Sequence, residues 1–197
     1  MCQTASLVAT KDRVFWSKDG DSHEQIIKEN GLHDDGVRGP NIVRFEISPP
    51  ANAYSMPLSE WAYRLDQDIL PDWYDAEDVE RRGRAALEKW AEVHILRDGG
   101  ECKEGQTRIV LGGALEMSGG EAWGYGSATI NQSGGRAWGC GSATINQSGG
   151  VAYGYGSATI NQSGGEAWGC GSATINQSGG EAWGCGSATI NDLREGK

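Results

Sequence analysis

From residue 121 onward, small and aliphatic residues alternate with aromatic and hydroxyl-bearing ones, and the alternation restarts every fifteen residues. The repeating phrase is E-A-W-G-C-G-S-A-T-I-N-Q-S-G-G. Ala122, Ala137, Ala152, Ala167 and Ala182 are each followed by an aromatic, and a Gly-Ser-Ala-Thr-Ile-Asn block places Ile130, Ile145, Ile160, Ile175 and Ile190 in one column. A fixed short period predicts a solenoid of stacked coils. Fifteen residues are too few for a helical hairpin repeat, which needs about 33. Abundant Gly and paired Thr-Ile also disfavour helix.

Side chains on a strand alternate faces. Ala122, Gly124, Gly126, Ala128 and Ile130 therefore suit a narrow interior, and Trp123, Tyr125, Ser127, Thr129 and Asn131 point outward. The Asn-Gln-Ser-Gly-Gly run reads as the corner, because Gly permits positive φ. Three faces of five residues predict a triangular coil, with a flatter two-sheet coil as the alternative. Parallel coils about 4.8 Å apart turn identical residues into ladders. The Ile column becomes the core, and Asn131, Asn146, Asn161, Asn176 and Asn191 can bond amide to amide along the axis.

The N-terminal half has a different pattern. Residues 3–10 and 14–17 read as a hairpin. Ser22 and Gln25 form a capping box for a short helix ended by Gly31. Val43, Phe45 and Ile47 define one face of a strand that Pro49-Pro50 stops. Trp61, Tyr63 and Leu65 alternate as a further strand, with a one-turn helix as the competing reading. Asp75 and Asp78 open a helix over 76–93, with Val79, Ala86, Leu87 and Trp90 inward and Arg81, Arg82 and Arg84 in water. The order β-β-α-β-β-α predicts a compact α+β unit over residues 1–94. Residues 95–120 then read as irregular first coils, 121–191 as the solenoid and 192–197 as a charged end that guards its edge.

Composition narrows the function classes. The chain has 197 residues and a net charge of −10, which argues against a nucleic-acid-binding surface. No apolar run is long enough for a membrane span, and Met1-Cys2-Gln3-Thr4 does not begin a secretory signal. Cys2, Cys102, Cys140, Cys170 and Cys185 are odd in number, and three share one outer column with Tyr125 and Tyr155. They read as reduced thiols in a cytosolic setting. Cys170 and Cys185 are near enough to bridge, but parallel side-chain directions argue against it.

The leading candidate site is the aromatic ladder Trp123, Trp138, Tyr153, Trp168 and Trp183, flanked by Tyr125 and Tyr155. Contiguous exposed aromatics mark an interface, either with a second copy or with a host protein. The plainer alternative is that the rings only stiffen the stack. A hydroxyl face of Ser127, Thr129, Thr144, Thr159, Thr174 and Thr189 resembles that of ice-binding solenoids, or is a solvated strand face. An acidic stretch with Asp66, Asp68, Asp72, Asp75, Glu77, Asp78 and Glu80 suits either a nucleic-acid mimic that inhibits a host enzyme or a solvated face. Cys2 is a nucleophile candidate without a telling His partner, since only His23, His33 and His94 exist. His33-Asp34-Asp35 reads as a polar loop before a metal site, and the corners lack the Asp of calcium-binding repeats. No cofactor fingerprint is present.

The Gly-Ser-Ala-Thr-Ile block beside Ala-Trp-Gly or Ala-Tyr-Gly resembles the Ala-Tyr-Gly-Ser-Ala-Thr-Val repeats of uncharacterised bacteriophage and prophage proteins. The segments around Asp21-Ser22-His23, Val43-Arg44-Phe45 and Pro71-Asp72-Trp73 are similar to small phage-type proteins. The resemblance implies a parallel β-helix and a phage or bacterial cytoplasmic origin, and it carries over no catalytic residue. The expectation is a non-catalytic interaction protein without metal or cofactor, which binds neither nucleic acid nor membrane.

Overall fold

The computed structural model describes residues 5–34 and 40–194. The chain divides into two compact units, residues 1–93 and 94–197. In the first, β1 (Ala5–Ala9) and β2 (Val14–Phe15) form the hairpin that the alternation predicts. Helix α1 (His23–Glu29) starts on Ser22, whose hydroxyl accepts the Gln25 amide N–H at 3.2 Å. The reciprocal half of the capping box is not made. The Gln25 side chain donates instead to Ser17 Oγ and Glu29 Oε1.

Strand β3 (Val43–Ser48) buries Val43, Phe45 and Ile47, as their spacing predicts. A one-turn 3-10 helix at Leu58–Glu60 precedes β4 (Ala62–Leu65), so the stretch of Trp61, Tyr63 and Leu65 takes the strand reading and not the helical one. The antiparallel sheet runs β2-β1-β3-β4. Helix α2 (Ala76–His94) opens on Asp75, whose Oδ1 accepts the Asp78 N–H at 2.9 Å. Its Val79, Leu87 and Trp90 are buried. At Gly83 a Cβ would lie 2.5 Å from the Phe45 ring, so helix and sheet meet there without a side chain between them.

Of the three arginines expected in water, only Arg81 is exposed. Arg82 donates to the Thr10 carbonyl at 3.2 Å, and Arg84 to the Leu58 and Trp61 carbonyls at 3.4 and 3.2 Å. A planar guanidinium presents several donors at once, which suits it to gathering loop carbonyls.

The second unit is a parallel β-solenoid with fifteen-residue spacing. Each coil supplies two strands: β5 (Ile95–Leu96) and β6 (Gly99–Cys102), β7 (Thr107–Val110) and β8 (Ala114–Met117), β9 (Glu121–Gly124) and β10 (Thr129–Gln132). The series continues with β11 (Arg136–Gly141) and β12 (Thr144–Gln147), then β13 (Val151–Gly156) and β14 (Thr159–Gln162). It closes with β15 (Glu166–Gly171) and β16 (Thr174–Gln177), and with β17 (Glu181–Gly186) and β18 (Thr189–Asp192). Among the described residues the odd-numbered strands from β5 make one sheet of 7 strands, and the even-numbered strands from β6 make another.

The coil thus takes the flatter, two-sheet section instead of three faces. The physical reason is at the first corner. Gly126 was a candidate for the interior, yet it is exposed with φ 59, and its copies Gly141, Gly156 and Gly171 turn similarly. Alternation therefore breaks there. Asn131 and Gln132 extend β10, and the second corner shrinks to Ser133-Gly134-Gly135. Registers are fifteen residues apart throughout the second sheet, as in Ile130↔Ile145. In the first sheet Ile95↔Ile109 and Thr107↔Glu121 are fourteen apart, so over the early coils the two sheets shift out of step by one residue per rung.

Ile130, Ile145, Ile160 and Ile175 are fully buried among the Ala columns. Gly139 lets Ile145 approach, since a Cβ there would lie 3.3 Å from its Cδ1. The interior also holds Gln132, Gln147, Gln162 and Gln177, which the corner reading of the Asn-Gln-Ser-Gly-Gly run left without a facing. At the last coil Ile190 is 40% exposed, and Asp192 pairs with Arg194. The remainder of the charged end, 195–197, lies outside the described residues.

Candidate interaction surface

The outer face of the first sheet carries three parallel columns. The middle one is the aromatic ladder. Trp123 and Trp138 stack with centroids 4.3 Å apart, Trp138 and Tyr153 at 5.5 Å, and Trp168 and Trp183 at 4.4 Å. In-register parallel strands force this stacking, because each ring sits directly above its copy. Exposure rises along the column, from 6% at Trp123 to 39% at Trp168 and 37% at Trp183.

One flanking column is Tyr125, Cys140, Tyr155, Cys170 and Cys185. Tyr155 is 42% exposed, and Tyr125 is half-buried. Cys170 and Cys185 form a disulfide, contrary to the expectation from their parallel directions. Neighbouring rungs bring the two Cα atoms to 4.8 Å, inside the range that a disulfide spans. The bridge removes the reduced-thiol argument for a cytosolic setting. Cys102 and Cys140 are free, and burial pushes the thiol of each up, that of Cys102 to about 11. A raised thiol holds little thiolate at neutral pH and is a weak nucleophile.

The other flanking column is Glu121, Arg136, Val151, Glu166 and Glu181. Arg136 lies 3.3 Å from Glu121. Val151 interrupts the charge, and Glu166 and Glu181 follow as in-register neighbours of like sign.

The second sheet presents Thr129, Thr144, Thr159, Thr174 and Thr189 beside the Asn column. The amide ladder forms as expected. Asn146 donates to Asn131 at 2.9 Å, the pattern continues to Asn191, and Glu116 accepts from Asn131 at its start. Ser127 is not part of this flat face. It lies exposed at the first corner, where its copies Ser142 and Ser157 donate to the carbonyls of Gly126 and Gly141. A groove of about 310 Å³ opens near Glu101, Glu116, Asn131 and Ser133. Its polar groups already serve one another: Glu101 pairs with Lys103, Glu116 with Asn131, and Ser133 with the Met117 carbonyl.

The remaining candidates lie in the first unit, except His94, the first residue of the second. His23 is buried, with Nε2 3.1 Å from the Phe45 carbonyl and Nδ1 3.1 Å from Asp66. Asp34 pairs with Arg44 at 2.6 Å. His94 faces the Thr107 carbonyl. Cys2 and Asp35 lie outside the described residues. In the acidic stretch, Arg81 and then Arg82 hold the Asp78 carboxyl below its usual range, and Glu80 pairs with Arg84. Asp68, Asp72 and Glu77 remain exposed. No described helix is long and apolar enough to cross a membrane. Compared with family models, curated proteins and solved structures, the chain matches none.

Proposed function

We propose that this chain is a non-catalytic interaction protein whose solenoid holds the aromatic sheet face rigid for self-association, with a host protein as the other class of partner. The observation that carries the reading is the set Tyr155, Trp168 and Trp183, each 37% to 42% exposed on one sheet face. Aromatic surface left in water costs about 25 cal/mol per Å², and covering it recovers that free energy. Stacking at 4.4 Å already fixes the Trp168 and Trp183 rings, so little side-chain entropy remains to be lost on docking. A phage-type origin and a bacterial cytoplasmic setting belong to the reading only through the resemblance of the repeats. No cofactor or catalytic residue enters it.

The test is the molar mass of the full chain in solution across about 5 to 200 µM, a range that brackets weak dimers. The same series is run on the double variant Trp138→Ser, Trp168→Ser. Mass rising toward twice the monomer, and lost in the variant, supports the reading. A monomer at every concentration in both proteins removes self-association.

A further inference from the structure

The charged column of the first sheet has a centre. Read along the axis it is Glu121, Arg136, Val151, Glu166, Glu181, and Val151 belongs to the third of the five phrases. That phrase is also the one in which Tyr153 replaces Trp. All five residues face outward in consecutive registers.

Two copies of a sheet face can meet about a two-fold axis in two ways. An axis along the solenoid sets each rung against its own copy. The charged column then lies against the partner's column of Tyr125, Cys140, Tyr155, Cys170 and Cys185, where Arg136 meets no carboxylate and Glu166 no cation. An axis along β13 makes the two solenoids antiparallel and inverts the order of rungs. Arg136 then faces the partner's Glu166, one rung from the axis. Val151 meets the partner's Val151 on the axis, the position where any charged residue would meet its own like. Tyr153 meets the partner's Tyr153, and Trp138 meets the partner's Trp168.

Resting on the self-association reading, we propose that the partner is a second copy of this chain, docked antiparallel through the first sheet with the two-fold axis on β13. The one like-charged pairing this creates, Glu121 with the partner's Glu181, lies two rungs from the axis, where twisted sheets splay apart. Glu121 is also held there by Arg136 of its own chain. Area sets the strength. Strand β13 has 6 residues. With the three rungs β11, β13 and β15 in contact the face measures roughly 15 Å by 20 Å, or about 300 Å² per copy. A standard interface buries about 800 Å² per partner, so this dimer is weak and depends on concentration.

The experiment is sedimentation equilibrium of the full chain over about 5 to 500 µM, the range in which an interface of this size dissociates. The proteins are wild type, Arg136→Glu, Glu166→Arg, the double swap, Val151→Glu and Trp168→Ser, with circular dichroism to confirm the fold of each. All these positions are on the outer face, so the coil interior is untouched. Each single charge change, and Val151→Glu, is expected to weaken the dimer about tenfold, and the double swap to restore it within about threefold. If wild type dimerises and Trp168→Ser abolishes it, but the double swap is no better than the singles, the axis is elsewhere. The aromatic reading then stands without this docking. If wild type stays a monomer throughout, the docking and the self-association reading fall together.

Discussion

Gln147 donates its buried side-chain amide to the carbonyl of Glu166 at 2.8 Å, and so ties the end of β12 to the start of β15 through the interior of the stack. The same amide donates to Gly150 at 2.9 Å, across the corner of its own coil. Gln132 and Gln162 repeat both bonds. Each glutamine thus fastens its corner and its neighbour with one NH₂ group. In the last coil the column changes to Asp192, where the position is exposed.

Replacing Gln147 tests this link. Gln147→Ala removes two hydrogen bonds and leaves a cavity, at a cost of about 2–3 kcal/mol. Gln147→Glu costs more, because it aims a carboxylate oxygen at two carbonyl oxygens in a dry interior. Urea midpoints of both variants check the order. Equal stability of Gln147→Glu and wild type would mean the amide is not holding the corner.

The corner glycines separate strain from crowding. Gly150 has φ 77, and a Cβ there would lie 2.4 Å from the Gly135 carbonyl oxygen and 2.9 Å from Gln132 Nε2. Gly141 has φ 68 with nothing within 4 Å. Gly141→Ala should cost about 1–2 kcal/mol from the backbone alone. Gly150→Ala should cost at least about 2 kcal/mol more, because the backbone carbonyl must move. Melting temperatures of the pair measure the difference, and equal shifts would refute the crowding argument.

The Cys170–Cys185 bridge closes a loop of 15 residues between the last two coils. Such a loop contributes up to about 3 kcal/mol by restricting the unfolded chain. End coils of a solenoid contact one neighbour only, so they open first. Reduction, or Cys170→Ser with Cys185→Ser, should speed amide exchange in β17 and β18 while β11 to β14 keep their protection. Unchanged exchange at the end coil would show that the bridge adds nothing there.

Cys140 gives a pH test. Burial raises its thiol above the ordinary value, so the thiolate appears only at higher pH. Alkylation of Cys140 should be slow at neutral pH and climb through a range above that of a free peptide cysteine, measured by mass spectrometry after brief labelling. A rate that levels off at or below the peptide's range would contradict the burial.

The period, the stacking and the inward Ile column were legible because identical residues at fixed spacing can only pair in register. Ile130 and Ile145 meet where the spacing places them. The cross-section was harder to read. Gly126 fits the interior by alternation, but a glycine turns the chain as readily as it continues a strand, and here it turns. The inward side chain of Gln132 was not legible in the corner run, because its acceptors are carbonyls that exist only once the corner has formed. Arg82 and Arg84 were misplaced for the same reason, since Thr10 and Trp61 come near them only through tertiary folding. The bridge between Cys170 and Cys185 was weighed and rejected because side-chain direction outweighed the short rung spacing. On the aromatic face the residues were legible as a column, but the gradient from buried Trp123 to exposed Trp168 was not.

The most direct test of the aromatic face is hydroxyl-radical footprinting of the full chain at low and high concentration, read residue by residue by mass spectrometry. Concentrating the protein should protect Tyr155 and Trp168 and leave the second-sheet residues Thr174 and Asn176 unchanged. Oxidation of Tyr155 and Trp168 that does not change with concentration, or protection confined to the second sheet, would contradict docking through this face.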